Sequence, residues 1–394
     1  MSPFLLKVVI PVKKGIMDKA IEKLLNINVG IIKGERVLVF TDHMQEGRLV
    51  PKEMDRCRRL EKAAERLAEI SAGLTSTHFF KYDSLPNNGY EPPEPVWQMA
   101  FGDKAVQGLR NNGILDRLIA KKAIEGDVEK AFEILSPYKE DMVDVVIGMS
   151  NFSTSHTRFR HLLTKIRGAR YASMPMFDPN MFTGPMDVDW NIIKERTEYI
   201  AGLITKAESV TMKCALGTDL RLSVSGRNGF ADTGIITGKG SFGNLPAGEV
   251  YVAPLEGTSE GKMVLEWSTT RKLSPPVTLT VKGGKVVNVD GDPEFVKYLE
   301  NIFSVSPTAT NIAELGIGTN DKASRPDNIL EAEKILGTTH IALGDNTTFG
   351  GKTSANFHED YVFFSPTLVL EYKDGRSETI ICDGKLKEKQ PEVK

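Results

Sequence analysis

Arg36-Val37-Leu38-Val39-Phe40-Thr41 is a run of β-branched and aromatic residues, and a long helical pattern follows it over residues 54–74. In that pattern Leu60, Ala63, Ala64, Leu67 and Ile70 recur at the spacing of one helical face, and Gly73 stands where a left-handed cap residue is usual. The alternation then repeats. Residues 106–134 predict further helix, and residues 142–148 (MVDVVIG) predict a mostly buried strand. Ser155 is placed to cap a helix through Arg158, Leu162, Leu163 and Ile166 that stops at Gly168, and Tyr171 to Met174 form the next strand. Strands alternating with helices predict an α/β domain with a mainly parallel sheet.

Working outward, the style changes past a Met-, Phe- and Pro-rich stretch between Pro175 and Pro185, which marks the expected junction between an α/β domain over 1–185 and a second domain over 186–394. After one more helix, at about 188–207, short strands flank tight turns. Residues 210–215 and 220–225 flank Leu-Gly-Thr-Asp, 277–281 and 285–289 flank Gly283-Gly284, and 368–372 and 377–382 flank Lys373-Asp374-Gly375-Arg376. Gly-Gly and Asp-Gly permit the positive φ of hairpin turns, so the C-terminal domain is expected to be α+β and rich in antiparallel hairpins. The polar run from Lys385 to Lys394 reads as a fraying tail.

Composition excludes several classes. The 394 residues carry 50 Lys+Arg against 52 Asp+Glu, a formal charge of −2, without the clustered basic excess of a nucleic-acid binder or a polybasic membrane-surface protein. No apolar stretch approaches the ~20 residues of a membrane span. MSPFLLKVVIPVKK has too short an apolar run and no small-residue cleavage site for a secretory signal. Cys57, Cys214 and Cys382 lie far apart with no C-x-x-C, which points away from a disulfide framework or thiolate zinc site and towards a reducing cytoplasm.

The chemistry sits in the second half. Four of the six histidines, His43, His78, His156 and His161, read as surface, capping or core residues. His340 follows the helix expected from Pro326-Asp327 through Leu336, and in the strand Thr338 to Gly344 it shares a face with Ala342 and Gly344, which leaves room beside the imidazole. Eighteen residues on, His358 and Asp360 of Phe357-His358-Glu359-Asp360-Tyr361 point the same way in an extended segment, close enough to serve one cation or neighbouring cations. Pro246 and Gly248 set a turn that delivers Glu249 to an apolar strand, and Glu314 interrupts an apolar run with glycines on its own face. A carboxylate facing a core is costly unless paired or bound to metal. Glu249, Glu314, His340, His358 and Asp360 together suit one or two divalent transition ions, with Zn, Co, Mn or Fe favoured by the oxygen and imidazole donors.

The motifs N-L-P-A-G-E-V (244–250), E-L-G-I-G-T-N (314–320), E-K-x-x-G-T-x-H-I-A-L-G (333–344), G-G-K (350–352) and H-x-D (358–360) resemble those of the aminopeptidase T / aminopeptidase S family of metallo-aminopeptidases, in order, over about residues 210–370. That resemblance implies two metal ions (Zn or Co), release of the N-terminal residue from short peptides by a metal-bound hydroxide, a homodimer, and metal-ligand roles for Glu249, Glu314, His340, His358 and Asp360, with Glu314 as the candidate bridge. No general base is assigned among Glu256, Glu260 and Asp345. The sequence departs from the family where a Tyr is expected about seven residues after His340: it reads Asp345-Asn346-Thr347-Thr348-Phe349, leaving Thr347 or Thr348 as the available hydroxyl.

Two other functions compete. His340, His358 and Asp360 alone make the two-imidazole, one-carboxylate set of non-haem Fe(II) oxygenases, and ring-cleaving dihydroxypyridine dioxygenases resemble the aminopeptidase family in architecture. The missing Tyr favours this alternative, and the presence of both Glu249 and Glu314 disfavours it. A metal-stabilised binding protein is the third, although closed structural zinc sites are usually Cys-rich.

Overall fold

The computed structural model describes residues 14–47, 49–269 and 271–387. The expectations for MSPFLLKVVIPVKK fall almost wholly, and those for the last seven residues of the tail wholly, outside the described residues. The chain divides into two compact units: Met1–Asp187 with Gly234–Pro246, and Val188–Thr233 with Ala247–Lys394. No helix among the described residues is long and apolar enough to cross a membrane.

The first unit is built on a five-stranded parallel sheet in the order Ser76–Asp83, Arg36–His43, Val145–Met149, Arg170–Ser173 and Phe242–Asn244. Val37 through Asp42 are buried without interruption, as expected of a central parallel strand covered on both faces. Gly148 clears the neighbouring Phe40 ring, which a Cβ there would meet at 2.7 Å. Helix Pro51–Ala72 buries Leu60, Ala63, Ala64 and Leu67. The crevice where strand order reverses, at the carboxyl ends of Arg36–His43 and Val145–Met149, is the usual ligand position in such sheets. Here side chains of the unit fill it: Asp42 accepts from Ser84 Oγ at 2.7 Å, Asn151 N at 2.6 Å and Asn151 Nδ2 at 2.9 Å, and Arg56 Nη2 donates to Asn151 Oδ1 at 2.9 Å.

Several local expectations are corrected. Gly73 is right-handed, at φ −72°. Residues 106–134 form no single helix: Gly113 (φ +64°) and Gly126 (φ +84°) break the segment into Asp103–Asn111, Ile114–Ile119 and Asp127–Leu135. Thr157, not Ser155, caps Arg158–Ile166 by accepting from Arg160 N, while Ser155 Oγ donates to Asn244.

In the second unit, helix Trp190–Lys206 precedes two antiparallel sheets. The larger has eight strands in the order Lys285–Asp290, Lys272–Lys282, Glu260–Trp267, Asp219–Ser223, Ala207–Lys213, Thr367–Tyr372, Ser377–Cys382 and Lys385–Leu386. The expected hairpins are present, with Gly283, Gly284 and Gly375 at positive φ in their turns. The tail does not fray from Lys385, because Lys385 and Leu386 pair with Cys382 and Ile381. The smaller sheet has five strands: His358–Phe363, Thr339–Gly344, Ile312–Gly318, Glu249–Val252 and Phe230–Asp232. One of its faces sends Val250, Val252, Leu315, Ile317, Ile341, Leu343, Tyr361 and Phe363 into the apolar core that also takes Val210, Met212, Leu220, Leu222, Leu368 and Leu370 from the larger sheet. The opposite face carries the polar residues singled out above.

Candidate metal centre

Register decides who meets on that face. Glu314 and Asp360 both pair with Ala342, Gly316 pairs with His340 on one side and Tyr251 on the other, Gly344 pairs with His358, and Gly318 with Glu249. Side chains alternate across a sheet, so the five sequence-predicted residues share one face of four adjacent strands. A register shift between Ile312 and Glu314 marks a bulge at Ala313, the kind of local insertion that re-aims a side chain beside a site.

The two glycines of Glu314-Leu315-Gly316-Ile317-Gly318 have separate jobs. A Cβ on Gly316 would overlap the His340 imidazole, and one on Gly318 would overlap the backbone at Lys334 and Ile335. The second requirement explains why the helix expected to run to Leu336 is a single turn, Ile329–Ala332. Beyond it the chain crosses Gly318 in successive turns with one isolated bridge from Asn320 to Ile335: Asn320 N donates to Lys334 O, Leu336 N to Asn320 O and Gly337 N to Gly318 O. That path drives Lys334, wholly buried, onto two carboxylates, at 2.5 Å from Glu249 Oε1 and 2.7 Å from Glu333 Oε1.

All five residues converge. His340 Nε2 lies 3.4 Å from Glu249 Oε2 and 3.4 Å from Glu314 Oε1; His358 Nε2 lies 3.5 Å from Glu314 Oε2 and 3.7 Å from Asp360 Oδ2. His340 is 1% exposed at its side chain and His358 33%, so the site is closed at one imidazole and open at the other. Ligand atoms of Glu314, His340 and Asp360 lie within 4.8 Å of one another, as do those of Glu249, Glu333 and His340. His358 Nδ1 is 2.7 Å from Asp345 O; a carbonyl only accepts, so Nδ1 carries the proton and Nε2 is left free towards the carboxylates.

Whether these residues fit a cation can be asked of their unmatched atoms. Glu249 Oε2, His340 Nδ1 and Asp360 Oδ1 are buried without a hydrogen-bond partner among the described residues. Two orphaned carboxylate oxygens in a buried cluster are costly unless a cation joins them. Burial alone would depress the His340 pKa, but Glu314, Glu249 and Asp360 outweigh it and push it up to about 9; His358 is likewise raised, burial again opposing Asp360 and Glu314. Burial would also lower Lys334, yet Glu249 and Glu333 hold it protonated, and burial raises the Glu333 carboxyl against the pull of Lys334. The donor set is therefore electron-rich and short of positive charge.

The candidate general bases are committed elsewhere. Glu256 accepts from Lys352 N, Asn346 Nδ2 and Arg227 Nη2; Glu260 accepts from Gly283 N; Asp345 accepts from Thr347 and Ala355 N. Thr347 and Thr348 are exposed, and the Thr347 hydroxyl donates to Asp345 rather than into the site. A phenol does stand on the metal face, but from another strand: Tyr251, one residue across from His340 through Gly316. The sequence patterns assign no site role to Tyr251, Glu333, Lys334 or Phe349, although Glu333-Lys334 opens the 333–344 motif. The available signals were the position of Tyr251 two residues after Glu249, which puts both on one face, and a Glu-Lys pair entering a Gly turn just before the His340 strand.

Fold and site thus define a candidate metal-dependent enzyme whose donors lie on the smaller sheet of the second unit. Residues 188–388, just over half of the chain, match the model of the family described as NicX: 2,5-dihydroxypyridine 5,6-dioxygenase. The chain belongs to that family. Among solved structures it is similar to 2,5-dihydroxypyridine dioxygenase from Pseudomonas putida KT2440, at 17% identity and a TM-score of 0.68, with 97% of this chain and 99% of that one covered. It is also similar to wild-type AmpT from Thermus thermophilus, at 13% identity and a TM-score of 0.54, with 95% and 99% covered. No curated protein matches. The second likeness shows a fold shared with aminopeptidase T, as the motifs implied. The expectation of a peptide hydrolase is overturned by the family match, which supports an oxidoreductase, the dioxygenase alternative. The five motifs record common architecture, and short motifs of metal-binding strands do not distinguish two chemistries that draw on the same strands.

Proposed function

We propose that this chain is a ring-cleaving dioxygenase that opens a dihydroxylated pyridine, with His340, His358 and Asp360 holding one Fe(II) ion. The observation that carries the reading is the convergence of those three side chains on one sheet face within the matched region 188–388. Two imidazoles and one carboxylate with room for other donors are the ligand type of non-haem Fe(II) oxygenases. Bound there, Fe(II) supplies the one-electron chemistry that dioxygen requires. Ring opening of this class places both oxygen atoms in the product, so no external reductant is needed.

The protein's own groups then have assignable work. Asp345 O fixes the His358 ring through Nδ1 and presents Nε2. Gly316 sets the depth of His340. Glu314, near both imidazoles, is placed to accept the proton that a ring hydroxyl sheds on binding. Lys334 offsets one negative charge at the Glu249–Glu333 pair and so limits the negative charge around the ion.

The test is reconstitution of the metal-free chain with Fe(II) under anaerobic conditions, followed by oxygen uptake and loss of ring absorbance with 2,5-dihydroxypyridine. One Fe per chain with turnover, and none after loading with Zn, is expected. No turnover of any dihydroxylated pyridine, or a requirement for two ions per chain, would sink the assignment.

A further inference from the structure

Phe349 touches two residues that belong to strands three apart in the order of the sheet. Its ring centroid is 5.6 Å from that of Tyr251 and 6.0 Å from that of His358, edge-on to each at 85° and 87°. One ring therefore spans the metal face from the Glu249 strand to the Asp360 strand, and it is only partly covered. Tyr251 is backed in turn by Phe230, stacked at 5.4 Å. The wall of the site is thus aromatic on a face that is otherwise carboxylate and imidazole.

That wall is clamped from outside the metal cluster. Glu256 Oε1 accepts from Lys352 N at 2.6 Å and Asn346 Nδ2 at 3.2 Å, while Oε2 accepts from Arg227 Nη2 at 2.6 Å, and Arg227 also donates to Gly350 O. Gly350 adopts φ +97°, and a Cβ on Gly351 would overlap the Asn346 amide, which itself bonds Thr353 N at 2.9 Å. The Gly-Gly-Lys motif is explained as the closure of this clasp around Phe349.

Resting on the ring-cleavage reading, we propose that Phe349, held by the Glu256–Arg227 clasp, is the specificity-determining residue that admits a flat aromatic ring to the metal face, with Glu256 as its positioning residue. A planar heteroaromatic gains offset or edge-on contact with Phe349 and Tyr251, the geometry that aromatic pairs favour beyond area burial. A saturated ring with the same hydroxyls gains only the area.

The experiment compares wild type, Phe349→Leu, Phe349→Tyr and Glu256→Gln. It reads Fe content, steady-state kinetics on 2,5-dihydroxypyridine, and anaerobic calorimetric binding of 2,5-dihydroxypyridine and of a saturated piperidinediol to the metal-loaded chain. Phe349→Leu is expected to weaken binding of the aromatic diol and raise KM about tenfold, with kcat within about twofold, Fe content unchanged and piperidinediol binding unchanged. Phe349→Tyr should restore KM, and Glu256→Gln should raise it in the same direction. Wild type that turns over the ring while Phe349→Leu keeps its KM, loses Fe, or loses both diols equally would overturn the proposal alone. Wild type that fails on the ring would overturn the function on which it rests.

Discussion

Glu314 spans two imidazoles, with one oxygen 3.4 Å from His340 Nε2 and the other 3.5 Å from His358 Nε2. His340 is buried on the shared sheet face and His358 is partly exposed, so a single carboxylate ties the closed end of the site to the open end. Glu314 to Ile317 pair with Ala342 to Thr339 in unbroken register, which keeps Glu314 in line with Ala342 and Asp360, and the bulge at Ala313 shifts only the residues before it.

Gly316→Ala is expected to abolish metal binding without unfolding the chain. The new methyl group would displace the His340 ring, and overpacking of this kind costs about 1–3 kcal/mol. Elemental analysis after dialysis and a thermal melt would check it; full occupancy in the variant would show that His340 is not a ligand.

Metal binding should release protons. In the metal-free protein His340 is held up to about 9 by Glu314, Glu249 and Asp360 against the opposing effect of burial. Its pKa is raised above the ordinary value of about 6.5, so its stabilising charge is fully present below that value and is lost as pH rises through about 9. An incoming cation must displace this proton, so apparent affinity should rise with pH up to about 9. Calorimetry in buffers of different ionisation enthalpy would count the protons, and a count of zero at pH 7 would refute the prediction.

Lys334→Met should destabilise the second unit by about 3–5 kcal/mol, because it strands Glu249 as a buried, unpaired charge and leaves Glu333 without its donor. Adding Glu249→Gln should recover part of the loss. Denaturant midpoints of the single and double variants test the coupling, and additive effects would contradict it.

Glu91, in the first unit, offers a second pH effect. Its carboxylate accepts from Arg158 N at 2.6 Å and Phe159 N at 2.9 Å at a helix start, yet burial outweighs these bonds and raises its pKa to about 7. The folded state therefore binds this proton more tightly than the unfolded one, whose value is near 4.5. The contribution is complete below about 4.5 and lost as pH climbs through about 7, on the order of 3 kcal/mol. Glu91→Gln should flatten that part of the stability profile, as followed by urea melts of the first unit; an unchanged slope would exclude Glu91 as its source.

Periodicity made much of the scaffold legible. Alternating strand and helix patterns in the first unit and Gly-Gly and Asp-Gly turns in the second fixed the layers, since both depend on local chemistry. His340 with Ala342 and Gly344 was legible for the same reason, because the two-residue period places small neighbours beside the imidazole. Lys334 was not: its burial follows from a chain crossing over Gly318, which no local pattern encodes. Tyr251 and Phe349 were missed because their meeting depends on strand order. The reaction class is not legible in the motifs, because donor types alone are shared between hydrolytic and oxidative sites.

Two missing methyl groups on alternate residues of one strand hollow the sheet into a trough. The imidazole sinks into one end and a buried ammonium reaches the other only because the backbone carrying it can cross there. Any larger residue at either place would turn the trough into a ridge and lift the whole donor array towards solvent, so the depth of this site is set by what Gly316 and Gly318 lack.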